Sequence, residues 1–396
     1  MRNQILKSNS AFVAIGDSPA FKAVTEKESL RLFTLVQDCS FSVNHNRAIS
    51  KQLGNQEYSH KSLIDAPDVD LKINYYASPY LINESLMGFQ DYSLFGNNAF
   101  DTIKDVSNNF YLIINPEDSK DGFAEVKKST SNLNGCFIMG FGNCYLKNYS
   151  LDFNAGSLPI VSTSFACSNI NTQNIYENVF PSPAVNLNLG QKQNGPNVYL
   201  SGLYESITGS SIPNNIENRN EFNPSIIVPQ NVIVQLNQLI VGGLSLSSSL
   251  NPLIQSFSMS IDFERVDLKG LGNNYSYNRK LKYPIVASIS MNCLIDKMGD
   301  SHQDFIRSEK YWDFDLTFCD STKLNTGFFS FANAKLESFN YSLPVNEKLT
   351  FQASFTVDIT DKKGFSMFRK VSKFQNSVWN TETSLWNKLN VFWDTV

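Results

Sequence analysis

Histidine is scarce, with only His45, His60 and His302 in 396 residues. None stands at metal-ligand spacing from a cysteine or from another histidine, so no metal site is expected. Cys-x-x-Cys is missing too. The six cysteines, Cys39, Cys136, Cys144, Cys167, Cys293 and Cys319, are scattered through apolar runs and read as small buried hydrophobes of a reducing compartment. Charge is thin at 18%, and the formal net charge of −4 leaves no Lys/Arg excess for gripping phosphates, although a weakly acidic protein can still surround DNA. No apolar run has the length of a signal peptide or a membrane helix, so the chain is expected to be made in, and to stay in, a cytoplasm with no membrane partner.

Catalytic signatures are lacking as well. Gly140 and Gly142, and Gly242 and Gly243, form neither a dinucleotide fingerprint nor a phosphate loop, and no Gly-x-Ser-x-Gly elbow occurs. Asp68/Asp70 and Asp313/Asp315 lie two residues apart on single strand faces, whereas a glycosidase needs carboxylates facing each other across a cleft. They read as solvated strand acids. No catalytic residue, cofactor or metal ligand is assigned, and the chain is expected not to be an enzyme.

Asn, Ser and 30 Phe residues dominate instead, a composition that favours turns and strands over long helices. A repeat organises them. Residues 37–55 and 255–273 align at a constant offset of 218 with eight identities in 19 positions, among them Arg47/Arg265, Lys51/Lys269 and Leu53-Gly54/Leu271-Gly272. Composition alone gives roughly one or two. Both copies alternate with period two: Cys39, Phe41 and Val43 oppose Ser40, Ser42 and Asn44, and Phe257, Met259, Ile261 and Phe263 oppose Ser258, Ser260 and Asp262. A second alternating strand follows each copy, through Val69, Leu71, Ile73 and Tyr75 and through Ala287, Ile289, Met291 and Cys293, making a long hairpin. The Leu-Gly turns read as an apolar plug before a residue free to take positive φ.

A fainter repeat at offset 190 matches Tyr149, Leu151 and Phe153 to Phe339, Tyr341 and Leu343, and Val161 to Cys167 onto Phe351 to Val357. The first copy is therefore longer by 28 residues, an insertion placed within 78–140 with a short helix suggested over 98–106. The resulting plan has an N-terminal arm (1–30), a first domain (31–175), a Pro/Gly-rich crossing segment (176–250) with a strand near 232–236, a second domain (251–362), and a tail (363–396). In the tail, Trp379, Trp386 and Trp393 recur every seven residues on one face of an amphipathic helix. That face suits either its own domain or a partner. Arg47, Lys51, Arg265 and Lys269 read either as intersubunit contacts or as solvated hairpin charges.

The passages FTLVQDCSFSVNHNRAISKQLGN and IQSFSMSIDFERVDLKGLGNNYSYNRKLKYPIVASISM resemble the tail tube proteins of tailed bacteriophages, in particular the double-domain type. GFGNCYLKNYSLDFNAGSLPIVS and GFFSFANAKLESFNYSLP resemble them more loosely. The resemblance implies a mainly β chain of two tandem, duplicated tube-like β-sandwich or half-barrel domains with long hairpins, short helices and a C-terminal amphipathic helix. It implies rings of six domains, hence homotrimers of pseudo-sixfold symmetry, stacked into a conduit in the virion tail. Partners are then further copies of the chain and other tail proteins, with DNA passing unbound, and assembly takes place in the host bacterial cytoplasm. Ser40, Ser42, Asn44, Ser162 and Ser164 from the first domain, with Ser258, Ser260, Asp262, Gln352 and Ser354 from the second, would line the lumen. The tryptophan face would serve inter-ring or partner contacts. A baseplate hub with two tube-like domains is the alternative within virions, and a carbohydrate-binding β protein the alternative outside them.

Overall fold

A computed structural model of the chain describes residues 11–16, 30–45, 47–51, 53, 58–63, 66–89, 107–114, 136–174, 179–181, 197–199, 226–239, 253–271, 275–276, 278–294, 311–319, 325–342, 349–360 and 364–369. The chain is mainly β. Its first half holds β1 (Ala11–Gly16), β2 (Leu30–Leu32), β3 (Val36–Asn44), β4 (Arg47–Lys51), β5 (Tyr58–Leu63), β6 (Asp68–Tyr76), the helix α1 (Ile82–Met87), β7 (Asn108–Ile114), β8 (Phe137–Asn154), β9 (Ile160–Cys167) and β10 (Asn169–Asn174). Two short strands, β11 (Val179–Pro181) and β12 (Asn197–Tyr199), pair with each other. The second half holds β13 (Val232–Leu239), β14 (Leu253–Asp262), β15 (Arg265–Leu268), β16 (Asn278–Leu281), β17 (Ile285–Leu294), β18 (Tyr311–Cys319), β19 (Asn325–Ser342), β20 (Thr350–Ile359) and β21 (Phe365–Arg369).

Period-two alternation becomes burial on one face. Along β6, Val69, Leu71, Ile73 and Tyr75 are buried while Asp68 and Lys72 are exposed, and β17 repeats this with Ala287, Ile289, Met291 and Cys293 inward. All strand pairs are antiparallel, and the registers of the two halves superimpose. Val69 opposes Cys167 as Ala287 opposes Val357, which reproduces both repeat offsets. The irregularities recur too. The β3/β6 ladder shifts between Val36 and Asp38, and β14/β17 shifts between Ile254 and Ser256. The β8/β9 ladder shifts between Leu146 and Asn148, and β19/β20 between Leu336 and Ser338.

The registers also place β7 on β18 at an offset of 204, since Phe110 opposes Phe141 and Phe314 opposes Phe331. The 28 extra residues are consequently two additions of equal length, one before β7 and one after it, rather than a single insertion. The helix suggested over 98–106 lies outside the described residues, and the helix that is seen, α1, comes earlier. It is too short to hold itself. Asn83 anchors it, its Nδ2 donating to the Thr34 carbonyl at 2.8 Å while its Oδ1 accepts from the Thr34 amide at 3.0 Å.

β8 and β19 have 18 residues each and serve two layers. The first part of β8 lies between β7 and β10, and its second part lies between β9 and β14. Where it changes layer, Asn143 adopts φ 50 and its amide donates to Asn109 Oδ1 at 3.0 Å. The equivalent Asn333 of β19 has φ 61 and donates to Asp313 Oδ1 at 2.9 Å. A side-chain acceptor thus satisfies a backbone donor that leaves the ladder in both halves. The two layers of the first half meet through Phe33 against Tyr75 (5.2 Å) and Phe110 against Phe165 (4.5 Å), those of the second through Phe314 against Phe355 (4.7 Å). All five cysteines other than Cys39 are buried, and Cys39 is half-buried with its thiol pushed up to about 12 by burial.

Candidate functional site: one closed seam and two open edges

The halves join edge to edge. β14 lies antiparallel beside β8 with Phe257 opposite Phe153, Met259 opposite Leu151 and Ile261 opposite Tyr149. These six side chains are all buried, so the seam is part of one continuous core. Behind the strands, Phe153 stacks on Phe318 at 6.0 Å and Tyr149 meets Phe329 edge-on at 6.3 Å. Polar contacts close the other face, where Asn148 Nδ2 donates to Asp262 Oδ1.

Arg265, first residue of the hairpin β15/β16, crosses the seam. Its Nε donates to the Leu146 carbonyl at 3.3 Å, its NH1 to the Arg279 carbonyl at 3.0 Å, and its guanidinium lies 5.0 Å over the Tyr145 ring. Arg279 approaches the same ring at 5.8 Å and forms an ion pair with Asp267 at 3.1 Å that is not aligned as a hydrogen bond. Burial raises the Tyr145 hydroxyl above its usual value against the pull of both arginines. The two arginines of this hairpin are thereby taken up by an aromatic ring and by an acid of their own hairpin.

Each strand of the seam has an equivalent in the other half: β3 for β14, and the end of β19 for the end of β8. Among the described residues, no strand pairs with the outer edge of β3 or with the outer edge of residues 338–342 of β19. Burial follows the missing neighbour. Met259 and Leu151 are each 1% exposed, whereas their equivalents Phe41 and Tyr341 are 40% and 37% exposed. Arg265 is half-buried, but Arg47 is exposed.

The polar residues singled out in the sequence share one face. Asp38, Asn74, Ser162, Ser150, Ser260, Ser288, Thr356 and Lys335 form a continuous row across β3, β6, β9, β8, β14, β17, β20 and β19. Neighbouring rows carry Ser40 with Ser164 and Asp262, then Ser258 with Ser354, and then Gln352. Ser42 and Asn44 continue this face at the end of β3. The face is acidic: Asp38, Asp68, Asp70, Asp152, Asp262 and Asp358 stand against Lys72 and Lys335, while the bulge residues Lys147 and Glu337 offset each other. Lys147 binds Asp70 at 2.9 Å. Asp313 lies elsewhere, half-buried on β18, where its carboxylate also accepts from the Asn333 amide.

Leu53 and Leu271 correct the expectation of an apolar plug. Both are fully exposed, at 104% and 107%, beside the tips of their hairpins. Those hairpins form two-stranded ladders apart from the large sheet, and neither leucine is covered by a described apolar residue. Lys51 lies on β4 and Lys269 follows β15, exposed. Trp379, Trp386 and Trp393 fall outside the described residues.

Sequence reasoning missed Tyr145, Arg279 and Asp267, which complete the seam around Arg265. The one available signal was the repeat, since Asp267 and Arg279 align with Ile49 and Lys61 at offset 218. It also missed a buried carboxylic acid. Glu84 of α1 accepts at Oε1 from the hydroxyls of Tyr75 (2.8 Å) and Tyr149 (3.1 Å), while its buried Oε2 has no hydrogen-bond partner among the described residues. The second half places Cys293 and Phe339 where these tyrosines stand.

No family model matches the sequence, and no curated protein matches it either. Solved structures resemble parts of it. A chain of the anti-feeding prophage baseplate is 12% identical with a TM-score of 0.27, covering 34% of this chain and 92% of that one. A chain of the tail of the empty GTA particle is 16% identical with a TM-score of 0.25, covering 36% and 98%. The SPP1 tail tube is 17% identical with a TM-score of 0.28, covering 39% and 86%. At these scores the likeness carries no argument about function.

Proposed function

We propose that this chain is a structural, non-enzymatic component of a phage tail tube, in which three copies close a ring of six similar domains and rings stack into a conduit. The observation that carries the reading is the internal seam. One closed junction, β14 on β8, is present together with both of its unsatisfied halves, the β3 edge and the β19 edge, on the same chain. Each edge can pair with the other head to tail, as its equivalents do within the chain, and closure of that pairing into a ring leaves neither of the two exposed. Three copies would supply twenty-four strands, at eight per chain. Porin barrels of about 16–18 strands already leave an aqueous channel.

On this reading the domains run over 31–175 and 251–362, joined by the crossing segment 176–250, and each recruits the strand before it, β1 or β13. The acidic Ser/Asn-rich face lines the lumen, where it repels phosphates and lets DNA pass without being held. Other tail proteins meet the ends of the tube in the virion, after assembly in the host cytoplasm.

Negative-stain microscopy and analytical ultracentrifugation of the purified full chain test this. Trimeric rings or hollow filaments are expected. A chain that stays monomeric at every concentration and binds or cleaves a glycan overturns the reading.

A further inference from the structure

The internal seam specifies its intersubunit counterpart residue by residue. Resting on the ring reading above, we infer that β3 of one copy pairs antiparallel with β19 of a second copy in the register Phe41↔Tyr341 and Ser42↔Asn340, with Arg47 directed at Glu337 of that second copy. The register follows from the two repeat offsets applied to Met259↔Leu151 and Ser260↔Ser150. It covers the two large apolar side chains that the open edges expose, Phe41 and Tyr341, by placing them opposite each other. Their equivalents in the internal seam are buried.

The charges distinguish this junction from the internal one. Within the chain, Arg265 and Arg279 are balanced by Asp267 on their own hairpin and by the Tyr145 ring, and the bulge of the facing strand carries a cation, Lys147. At the open edges Arg47 keeps the place of Arg265, but the other four positions differ: Ile49 replaces Asp267, Lys61 replaces Arg279, Lys335 replaces Tyr145, and Glu337 replaces Lys147. The β4/β5 hairpin therefore has cations with no acid at that position, and the facing bulge supplies one. Glu337 is exposed and, among the described residues, accepts from Thr356 Oγ1 at 2.6 Å. Lys335 does not oppose the arrangement, because its ammonium lies 4.0 Å from Asp358 and 5.9 Å over the Tyr311 ring. The internal seam is neutralised within one hairpin, and the intersubunit seam across two chains.

Cross-linking of the full chain tests the register, and charge reversal tests the pairing. In the internal seam Phe263 and Ala155 make the ladder bonds to Lys147 and Gln255, which puts Ser260↔Ser150 at a non-hydrogen-bonded position. The equivalent Ser42↔Asn340 pair then has Cα atoms about 4.5 Å apart, within disulfide range. Ser42→Cys with Asn340→Cys is expected to give covalent dimers and trimers on mild oxidation. Wild type and the off-register pair Ser42→Cys with Ser342→Cys are expected to give none. Arg47→Glu alone is expected to raise the concentration for half-assembly roughly tenfold or more, and adding Glu337→Arg to restore it. Wild-type rings without cross-linking of the matched pair, or without rescue by the double reversal, overturn the register or the pairing and leave the ring reading intact. A wild-type chain that forms no ring overturns both.

Discussion

Glu84 lies 1% exposed in the first half's core with one carboxylate oxygen unpartnered among the described residues. Burial raises its pKa above the ordinary 4.5, and hydrogen bonds from backbone, Tyr75 and Tyr149 pull it back only in part. Folding therefore favours the protonated acid: its stabilisation is complete below 4.5 and is lost as pH rises through the higher folded value. The midpoint of thermal unfolding is expected to fall as pH is raised from about 5 towards 8, and Glu84→Gln, which keeps Oε1 as acceptor, to flatten that slope. Tyr75 and Tyr149, both held well above 10 by burial, stay protonated throughout. Asn143 and Asn333 illustrate a backbone constraint instead. At φ 50 and 61, Asn→Ala at either position is expected to cost about 1–2 kcal/mol in urea unfolding, and Asn→Gly less.

α1 and β19 meet where the halves touch. A Cβ on Gly327 of β19 would lie 3.0 Å from Leu81 Cδ1 and 3.0 Å from the Pro79 carbonyl oxygen, just ahead of α1. The carbonyl is backbone and cannot swing aside. Gly327→Val is expected to cost about 1–3 kcal/mol, read from the urea midpoint. Strand faces were legible in the sequence, because a period of two records which side chain points inward. α1 was not. Its six residues span under two turns, too few for helical periodicity, and it depends on Asn83 reaching Thr34, 49 positions away. The pairing of β7 with β18 as equivalents escaped too, since the two share only alternating apolar positions such as Phe110/Phe314 and Leu112/Leu316.

Equivalent substitutions at the closed and open edges are expected to act on different properties of the whole chain. Met259→Ala empties a filled seam and is expected to cost about 2–5 kcal/mol of folding stability. Phe41→Ala, at the same place in the other half, removes a ring that is 40% exposed and meets Phe141 edge-on at 5.3 Å; it is expected to cost the monomer clearly less stability than Met259→Ala and to suppress ring formation, as sedimentation velocity would show. Equal loss of stability in both variants would mean that the β3 edge is already packed within one chain. The candidate site was thus half readable. Arg47 and Arg265 stood out as a repeated pair, but their different fates depend on whether a second strand lies beside them.

The sequence alone determined the strands, their inward and outward faces and the correspondence of the halves, because alternation and repetition are properties of residues close together along the chain. Only the tertiary structure decided which edges meet. β8 leaves β7 after Cys144 and receives β14, whose residues lie more than one hundred positions further on, and no local pattern encodes that neighbour. Leu53 and Leu271 show the same limit, since a leucine beside a hairpin tip is a plug or an exposed side chain according to what the fold brings opposite it. Strand pairing is settled by the edges that remain once the core has closed, and among the described residues β3 and the end of β19 each keep an edge that their equivalents in the other half have closed.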